Sequence, residues 1–277
     1  MEMKKTIFIT GASAGLGKAT AKLFQSKGWH VIAAMRNPSK ETELNQLENV
    51  SLIPLDITNV SQINETVKSI IAHQNVDVVF NNAGYGLGGA LEYATDEQIL
   101  QQIETNLTGV IRITKAFIPY FKQKEAGLFI TTTSIFGFSS CPLSSVYNAT
   151  KWALEGFSES ISYDLALFNI GIKSVAPGGI KSNFVNAMQF AGGNEYEVVN
   201  ESMGKLISNG QLFQFNEVEE IAAVVYEAAT DGKDQLRYLA GTDAEQTAQQ
   251  RLREGAENFR KKLRQSLHLK SPFEMIA

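Results

Sequence analysis

A single cysteine, Cys141, in 277 residues excludes an intrachain disulfide and suits a reducing compartment. No stretch approaches the ~18 uninterrupted apolar residues of a membrane-spanning helix, so no membrane span is expected. The opening MEMKKTIFIT faintly mimics an export signal, but its apolar run Ile7-Phe8-Ile9 is far too short for one. The expected location is therefore the cytoplasm. Excess charge of one sign is also missing: 25 basic and 29 acidic residues leave a net −4, with no general pull toward nucleic acid or anionic lipid. Histidine is scarce, and His30, His73 and His268 lack the spacing of metal ligands, so no metal site is expected. Cys141 has no positively charged sequence neighbour that would make it a reactive thiolate. There is no internal repeat, low-complexity tract or Pro/Gly/Ser linker.

What remains is an ordinary globular composition, 44% apolar and 19% charged, long enough to bury a sizeable core. Short apolar runs alternate with helical patterns. Strands are expected at Lys5–Thr10, His30–Met35, Ser51–Leu55, Val76–Phe80, Leu128–Thr133, Gly171–Ala176 and Leu236–Leu239. Helices are expected at Gly15–Gly28, Val60–His73, Asp96–Phe121, Val146–Phe168 and Glu217–Thr230. Continuously apolar strands between helices predict a mostly parallel sheet of seven strands, covered on both faces. The α/β class is then doubly wound, of Rossmann type, in a single domain.

Two segments break the rhythm. Residues 182–214, with Gly192-Gly193 and Gly210, follow the sixth strand and border the expected ligand crevice. They are the natural substrate lid of a domain spanning 1–243. Residues 244–277 form a C-terminal helical extension. Its Ala244–Leu267 stretch reads as one polar helix carrying Arg260-Lys261-Lys262-Leu263-Arg264, either solvated or able to touch a partner or a membrane.

Thr10-Gly11-Ala12-Ser13-Ala14-Gly15-Leu16-Gly17 lies between the first strand and first helix. Glycines there allow a tight turn and let backbone N–H groups approach a diphosphate at a helix N-terminus. No Gly-Lys-Ser/Thr closes the loop, so it is not a nucleoside-triphosphate loop. The second strand ends Ala33-Ala34-Met35 and is followed by Arg36. An acidic side chain for a ribose 2′-hydroxyl is lacking, whereas Arg36, helped by Ser13 and Lys40, can grip a 2′-phosphate. That favours NADP(H) over NAD(H). Asp56, after the third strand, either meets the adenine or caps the next helix. Asn81-Asn82-Ala83-Gly84, after the fourth, combines small residues for close approach with amides that can hold neighbouring loops.

Tyr147 and Lys151 are spaced i, i+4 and so share a helical face. A neighbouring ammonium favours the phenolate, which would lower the tyrosine pKa toward neutrality. Ser134, ending the fifth strand, can donate to a substrate oxygen beside Tyr147. Asn106, inside a helix and followed by Gly109, is locally unfavourable and marks either a functional site or a buried hydrogen-bonding amide.

Taken in order, Thr10-Gly11-x-x-x-Gly15-x-Gly17, Asn81-Asn82-Ala83-Gly84, Asn106, Ser134, Tyr147-x-x-x-Lys151 and Pro177-Gly178 closely resemble the compact branch of the short-chain dehydrogenase/reductase family, over roughly residues 5–241. The resemblance implies an oxidoreductase moving a hydride between NADP(H) and a carbonyl or alcohol carbon; the choice of NADPH, which cells usually keep reduced, points to the reductive direction. It implies Tyr147 as general acid, Lys151 on the nicotinamide ribose, Ser134 on the substrate oxygen, and Asn106 anchoring a water that relays protons from Lys151. Gly11, Ser13, Ala14, Gly15, Leu16 and Gly17 would line the diphosphate and ribose. Asp56 and Ile57 would flank the adenine, and Asn82, Ala83 and Gly84 would pass its ribose. Pro177, Gly178, Ile180 and Ser182 would pack on the nicotinamide, Ser182 standing where the family often has threonine. Tyr85, Leu87, Phe136, Phe138, Pro142, Phe184, Met188 and Phe190 are candidates for an apolar pocket suited to a lipophilic ketone or aldehyde. Met35-Arg36 and the chain beyond Gly241 are similar to hydroxysteroid- and retinol-type members. A homodimer or homotetramer would use Leu100, Ile103, Leu107, Leu154, Phe157 and Ile161. A catalytically silent NADP(H) sensor is the alternative, opposed by the presence of both Tyr147 and Lys151. An extended-branch sugar-nucleotide enzyme is opposed by the glycine spacing and by the lack of a longer C-terminal substrate domain.

Overall fold

A computed structural model describes residues 4–182 and 184–271. The outer ends of the two expected divisions (1–3 and 272–277) and residue 183 of the expected lid lie outside the described residues. The central sheet contains β1 (Thr6–Thr10), β2 (His30–Met35), β3 (Val50–Pro54), β4 (Val78–Asn81), β5 (Gly127–Thr132), β6 (Ile170–Pro177) and β7 (Arg237–Ala240). Their spatial order is β7-β6-β5-β4-β1-β2-β3, and every neighbouring pair is parallel. The expected doubly wound sheet of seven strands is present.

Two faces follow from the period of two along β1. Ile7 and Ile9 point to one side, where Phe24 of α1 (Gly15–Ser26) and Ile221 and Val225 of α8 (Val218–Thr230) cover them. Phe8 points to the other, against Ile63 and Val67 of α2 (Val60–His73) and Phe117 and Phe121 of α4 (Gly109–Lys124). Phe117 lies between Phe8 and Phe121, with ring centroids 5.2 and 6.1 Å away. All these side chains are essentially sealed from solvent, each contributing about 1.5–3 kcal/mol of burial.

The long helix expected at Asp96–Phe121 is instead three pieces. Helix α3 (Asp96–Ile103) begins at a capping box of Thr95 and Gln98, a π turn occupies Glu104–Thr108, and α4 continues past Pro119 to Lys124. The Gly109 N–H reaches back to the Glu104 carbonyl, the i−5 bond of the π turn. Helix α5 (Ser145–Ala166) carries the Tyr147–Lys151 face, and α6 (Phe184–Ala187) and α7 (Glu197–Ser208) follow β6. The polar C-terminal stretch is likewise not one helix. It divides into α9 (Thr242–Glu254) and α10 (Ala256–Ser266), because Gly255 adopts a left-handed φ of 77°. Ion pairs from Lys262 to Glu254 and from Arg260 to Glu257 blunt the basic run. No helix among the described residues is long and apolar enough to cross a membrane.

Of the side chains expected on a subunit contact, Leu100 and Ile103 are exposed, but Leu154 is fully buried within the chain. Ile161 packs partly against the core beneath α4. The α5 face that carries Leu154 points inward, so Leu154 cannot meet a second copy.

Candidate active site

The strand order reverses between β1 and β4, and a cleft of about 1180 Å³ opens beyond the carboxyl ends of these strands. At one end, Gly11 makes its turn with a φ of 69°. The first turn of α1 follows with no side-chain cap on its N–H groups, unlike α2, which Asn59 caps, and α3, which Thr95 caps. Uncapped N–H groups at a helix N-terminus form a ready anion site. Gly15 faces open space apart from Ser182 Cβ, 3.8 Å from where a Cβ would sit. The turn is thus an open cradle that fits the diphosphate of a dinucleotide.

All the residues expected at the cofactor line this cleft except Gly17 and Lys40. A Cβ at position 17 would overlap the Gly11 carbonyl oxygen, so this glycine lets the helix start against the turn and does not face the groove. Arg36 lies exposed on the cleft wall, whereas Lys40 does not line it. Asp56 Oδ1 accepts from the Thr58 N–H and hydroxyl at 2.9 and 2.8 Å. The cap of α2 is Asn59, so the N-cap reading of Asp56 is wrong.

Asn82 ties three strand ends together. Its amide donates to the Thr10 and Gly11 carbonyls, both at 3.3 Å, and its oxygen accepts from Thr132 Oγ1 at 3.2 Å. Asn106 is buried in the π turn. Its oxygen accepts from the Tyr85 N–H at 3.1 Å and its nitrogen donates to the Tyr85 carbonyl at 2.8 Å. The local cost read in the sequence is therefore a clamp on the segment that follows β4.

Tyr147, Lys151 and Ser134 converge at the middle of the cleft. Ser134 Oγ accepts from the Phe136 N–H at 3.1 Å, which leaves its own proton free to donate, and it hydrogen-bonds the Tyr147 hydroxyl. Lys151 Nζ donates to the Thr132 carbonyl at 2.8 Å and lies 5.7 Å from the Tyr147 ring centroid. Burial pushes the Tyr147 pKa up to about 12, with the Ser134 hydrogen bond opposing it. Lys151, expected to lower it, is not among the groups that move it: its ammonium is turned to the Thr132 carbonyl. Burial also brings Lys151 down to about 8, opposed by the carboxylate of Glu155.

Sequence reading overlooked Glu155, although 147, 151 and 155 continue one i, i+4 series. It is buried, forms an ion pair with Arg237 at 2.7 Å and accepts from Ser174 at 3.2 Å. It overlooked Asn148 too, whose amide donates to the Phe136 and Ser139 carbonyls at 3.2 and 2.8 Å and so fixes the loop below Ser134. Cys141 lines the cleft with its thiol pushed up to about 12 by burial, an unreactive setting.

Beyond Tyr147 the cleft is walled by Tyr85, Phe136, Pro142, Phe184, Met188 and Phe190, as expected, and by Leu143, Met203, Ile207, Phe213 and Phe215, which were not. Leu87 and Phe138 do not line it. Leu87 is buried in the short pairing of Leu87–Gly88 with Gln189–Phe190, and Phe138 lies under the Arg237 guanidinium, 5.8 Å from its ring centroid. Among the described residues the charged side chains lining the cleft are Arg36, Asp56 and Lys151.

Residues 5–190 match the family model described as short chain dehydrogenase. The chain is similar to a 3-ketodihydrosphingosine reductase of Bacteroides thetaiotaomicron, 37% identical over 193 residues, covering 68% of this chain and 70% of that one. A crystal structure of a short-chain dehydrogenase from Streptomyces avermitilis superposes with a TM-score of 0.83 at 29% identity, covering 91% and 94% of the two chains. ElxO with NADP bound superposes with a TM-score of 0.74 at 27% identity, covering 86% and 97%. The chain belongs to the short-chain dehydrogenase/reductase family of oxidoreductases.

Proposed function

We propose that the protein is an NADPH-dependent reductase of neutral, lipophilic ketones or aldehydes. The observation that carries this reading is the position of the Tyr147, Ser134 and Lys151 group. It stands between an open phosphate cradle and a chamber walled by apolar side chains.

The residues present fit a nicotinamide dinucleotide. Gly11, Ser13 and the first turn of α1 would hold the diphosphate, and Asp56 and Ile57 would flank the adenine. Arg36 would pair with a 2′-phosphate, a choice supported by the NADP carried by ElxO, a structure of the same fold. Lys151 would hold the ribose hydroxyls beside Pro177 and Gly178. When bound, the cofactor supplies the hydride.

The chain's own groups do the remaining work. Ser134 donates a hydrogen bond to the carbonyl oxygen and holds it beside Tyr147. As the carbonyl carbon gains the hydride, its oxygen becomes basic and takes the Tyr147 proton, so the C=O becomes CH–OH. A phenol kept protonated by burial suits the acid in reduction. Lys151, still mainly charged at neutral pH with a pKa of about 8, favours the transient phenolate. Tyr147 would be reprotonated from solvent by way of Lys151 and a water anchored at Asn106, in the π turn beside α5.

The substrate class follows from charge. Arg36 and Asp56 lie at the cofactor half and Lys151 at the middle beside Tyr147, so among the described residues the walls beyond Tyr147 offer no counter-ion for a carboxylate, phosphate or ammonium. The Bacteroides relative is named for reducing 3-ketodihydrosphingosine, a ketone, which supports the same reading. Residues 182–214 act as the substrate lid. Gln189–Phe190 pairs with Leu87–Gly88, and reciprocal bonds from Tyr93 to Glu195 (2.5 Å) and from Tyr196 to Glu92 (2.6 Å) hold it down.

The test is consumption of NADPH and NADH, in parallel, over aliphatic and aromatic ketones and aldehydes, with Tyr147→Phe as control. NADPH-dependent turnover falling at least about 100-fold in the variant is expected. Better use of NADH would overturn the role of Arg36. Turnover unchanged in Tyr147→Phe would overturn the acid.

A further inference from the structure

We propose that Asp243, in the first turn of α9, is a positioning residue that fixes the Pro177-Gly178-Gly179 loop against the nicotinamide end of the cofactor. The inference rests on the nicotinamide reading above and adds a residue from the far end of the chain.

Asp243 is 4% exposed. An aspartate in the first turn of a helix ordinarily serves that helix, satisfying its free N–H groups or meeting its dipole in water. Helix α9 instead starts at Gly241 with no side-chain cap, and the Asp243 carboxylate is turned onto another segment. Its Oδ2 accepts from the Gly179 N–H at 2.6 Å, a charge-assisted bond of the short, strong kind. Its Oδ1 accepts from Asn216 Nδ2 at 3.2 Å. Asn216 closes the network: its amide donates to the Gly179 carbonyl at 3.2 Å and its own N–H to the same oxygen at 3.0 Å. The Gly178 N–H meets the Ala240 carbonyl at 3.1 Å. Both polar groups of Gly179 are thus held by side chains from outside β6.

The glycines give an independent line of support. A Cβ on Gly178 would overlap the Asp243 carboxylate, so the carboxylate is the reason this position carries glycine. Gly241 has a φ of 106°, and a Cβ there would overlap the Asn216 amide and lie 3.0 Å from Asp243 Oδ1. Burying a carboxylate is costly unless hydrogen bonds replace its water. A loop that needed only to be covered would be covered more cheaply by an apolar side chain. A carboxylate aimed at one N–H specifies the position of that peptide, which borders the cleft beside Tyr147 and Lys151.

The test separates the two ends of the dinucleotide. Calorimetric Kd values are measured for NADPH and for 2′-phospho-ADP-ribose, which lacks the nicotinamide (NADH and ADP-ribose if the wild type prefers them). Wild type, Asp243→Ala, Asp243→Asn and Gly178→Ala are compared, with Tm recorded for each. Asp243→Ala is expected to weaken NADPH at least tenfold and 2′-phospho-ADP-ribose less than twofold. Asp243→Asn, which keeps one acceptor for the Gly179 N–H, should fall between. Gly178→Ala, which pushes on the carboxylate from the opposite side, should show the same split even if the alanine variant at 243 is too unstable to assay. Equal weakening of both probes, tracking the loss of Tm, would mean a purely structural role and overturn the proposal, as would unchanged NADPH binding. A wild type that binds neither dinucleotide would refute the cofactor reading itself, before any variant is compared.

Discussion

Lys151 donates its 2.8 Å hydrogen bond to the Thr132 carbonyl while Glu155, one turn further along α5, faces it with a buried carboxylate. The two effects on the lysine oppose each other. Loss of water brings its pKa down to about 8 from 10.5, and the Glu155 charge holds it from falling further. If the charged lysine is required, reductase activity is present at neutral pH and declines as pH rises through about 8. Glu155→Gln removes the opposing charge, so the alkaline limb of the kcat/KM profile should move to lower pH. The same group also affects stability. Between about 8 and 10.5 the unfolded chain holds more protons on this lysine than the folded chain, so its contribution to stability rises with pH across that window. Superimposable pH profiles for wild type and variant would refute the coupling.

Much of this could be read before folding, for physical reasons. Strands buried on both faces must be continuously apolar, so His30–Met35 and Val78–Asn81 announce themselves. Tyr147 and Lys151 are joined by helical spacing alone, and Ser134 by its place at a strand end. What escaped depends on contacts distant in sequence. The π turn at Glu104–Thr108 leaves only an awkward asparagine as its trace, because the clamp that Asn106 makes there is on Tyr85, 21 residues away. An apolar side chain does not say which wall it joins, so Leu87, Phe138 and Leu154 were misplaced. Nothing in the sequence around Asp243 signals its role. Its partner Gly179 lies 64 residues away.

The aromatic stack beneath the sheet should carry a measurable share of stability. Phe117 is fully buried between Phe8 and Phe121, and Phe121 in turn packs edge-on against Phe129 of β5 at 5.0 Å. Removing the ring leaves a cavity that backbone elements on both sides cannot close. Phe117→Ala should cost about 3–5 kcal/mol in urea denaturation, with little change in the m-value. A loss below about 1 kcal/mol would mean that α4 relaxes into the gap, contrary to the tight packing described.

The uncharged substrate half makes a quantitative demand on substrate choice. Each methylene moved from water onto the walls formed by Phe136, Met203, Ile207 and Phe213 gains about 0.8 kcal/mol, or roughly a fourfold rise in kcat/KM. A series of straight-chain methyl ketones should therefore climb by about that factor per carbon until the chamber is filled. The exposed rings of Phe184, Phe190 and Phe215 at the cleft would let a longer chain leave toward solvent, where further carbons add little. A keto acid of matched length should lose the gain, because its carboxylate would enter a region without a counter-ion. Comparison of the two series reads wall chemistry directly, since the reacting carbonyl is the same in both. A flat response to chain length, or a preference for the keto acid, would remove the lipophilic assignment while leaving Tyr147, Ser134 and Lys151 to another class of carbonyl.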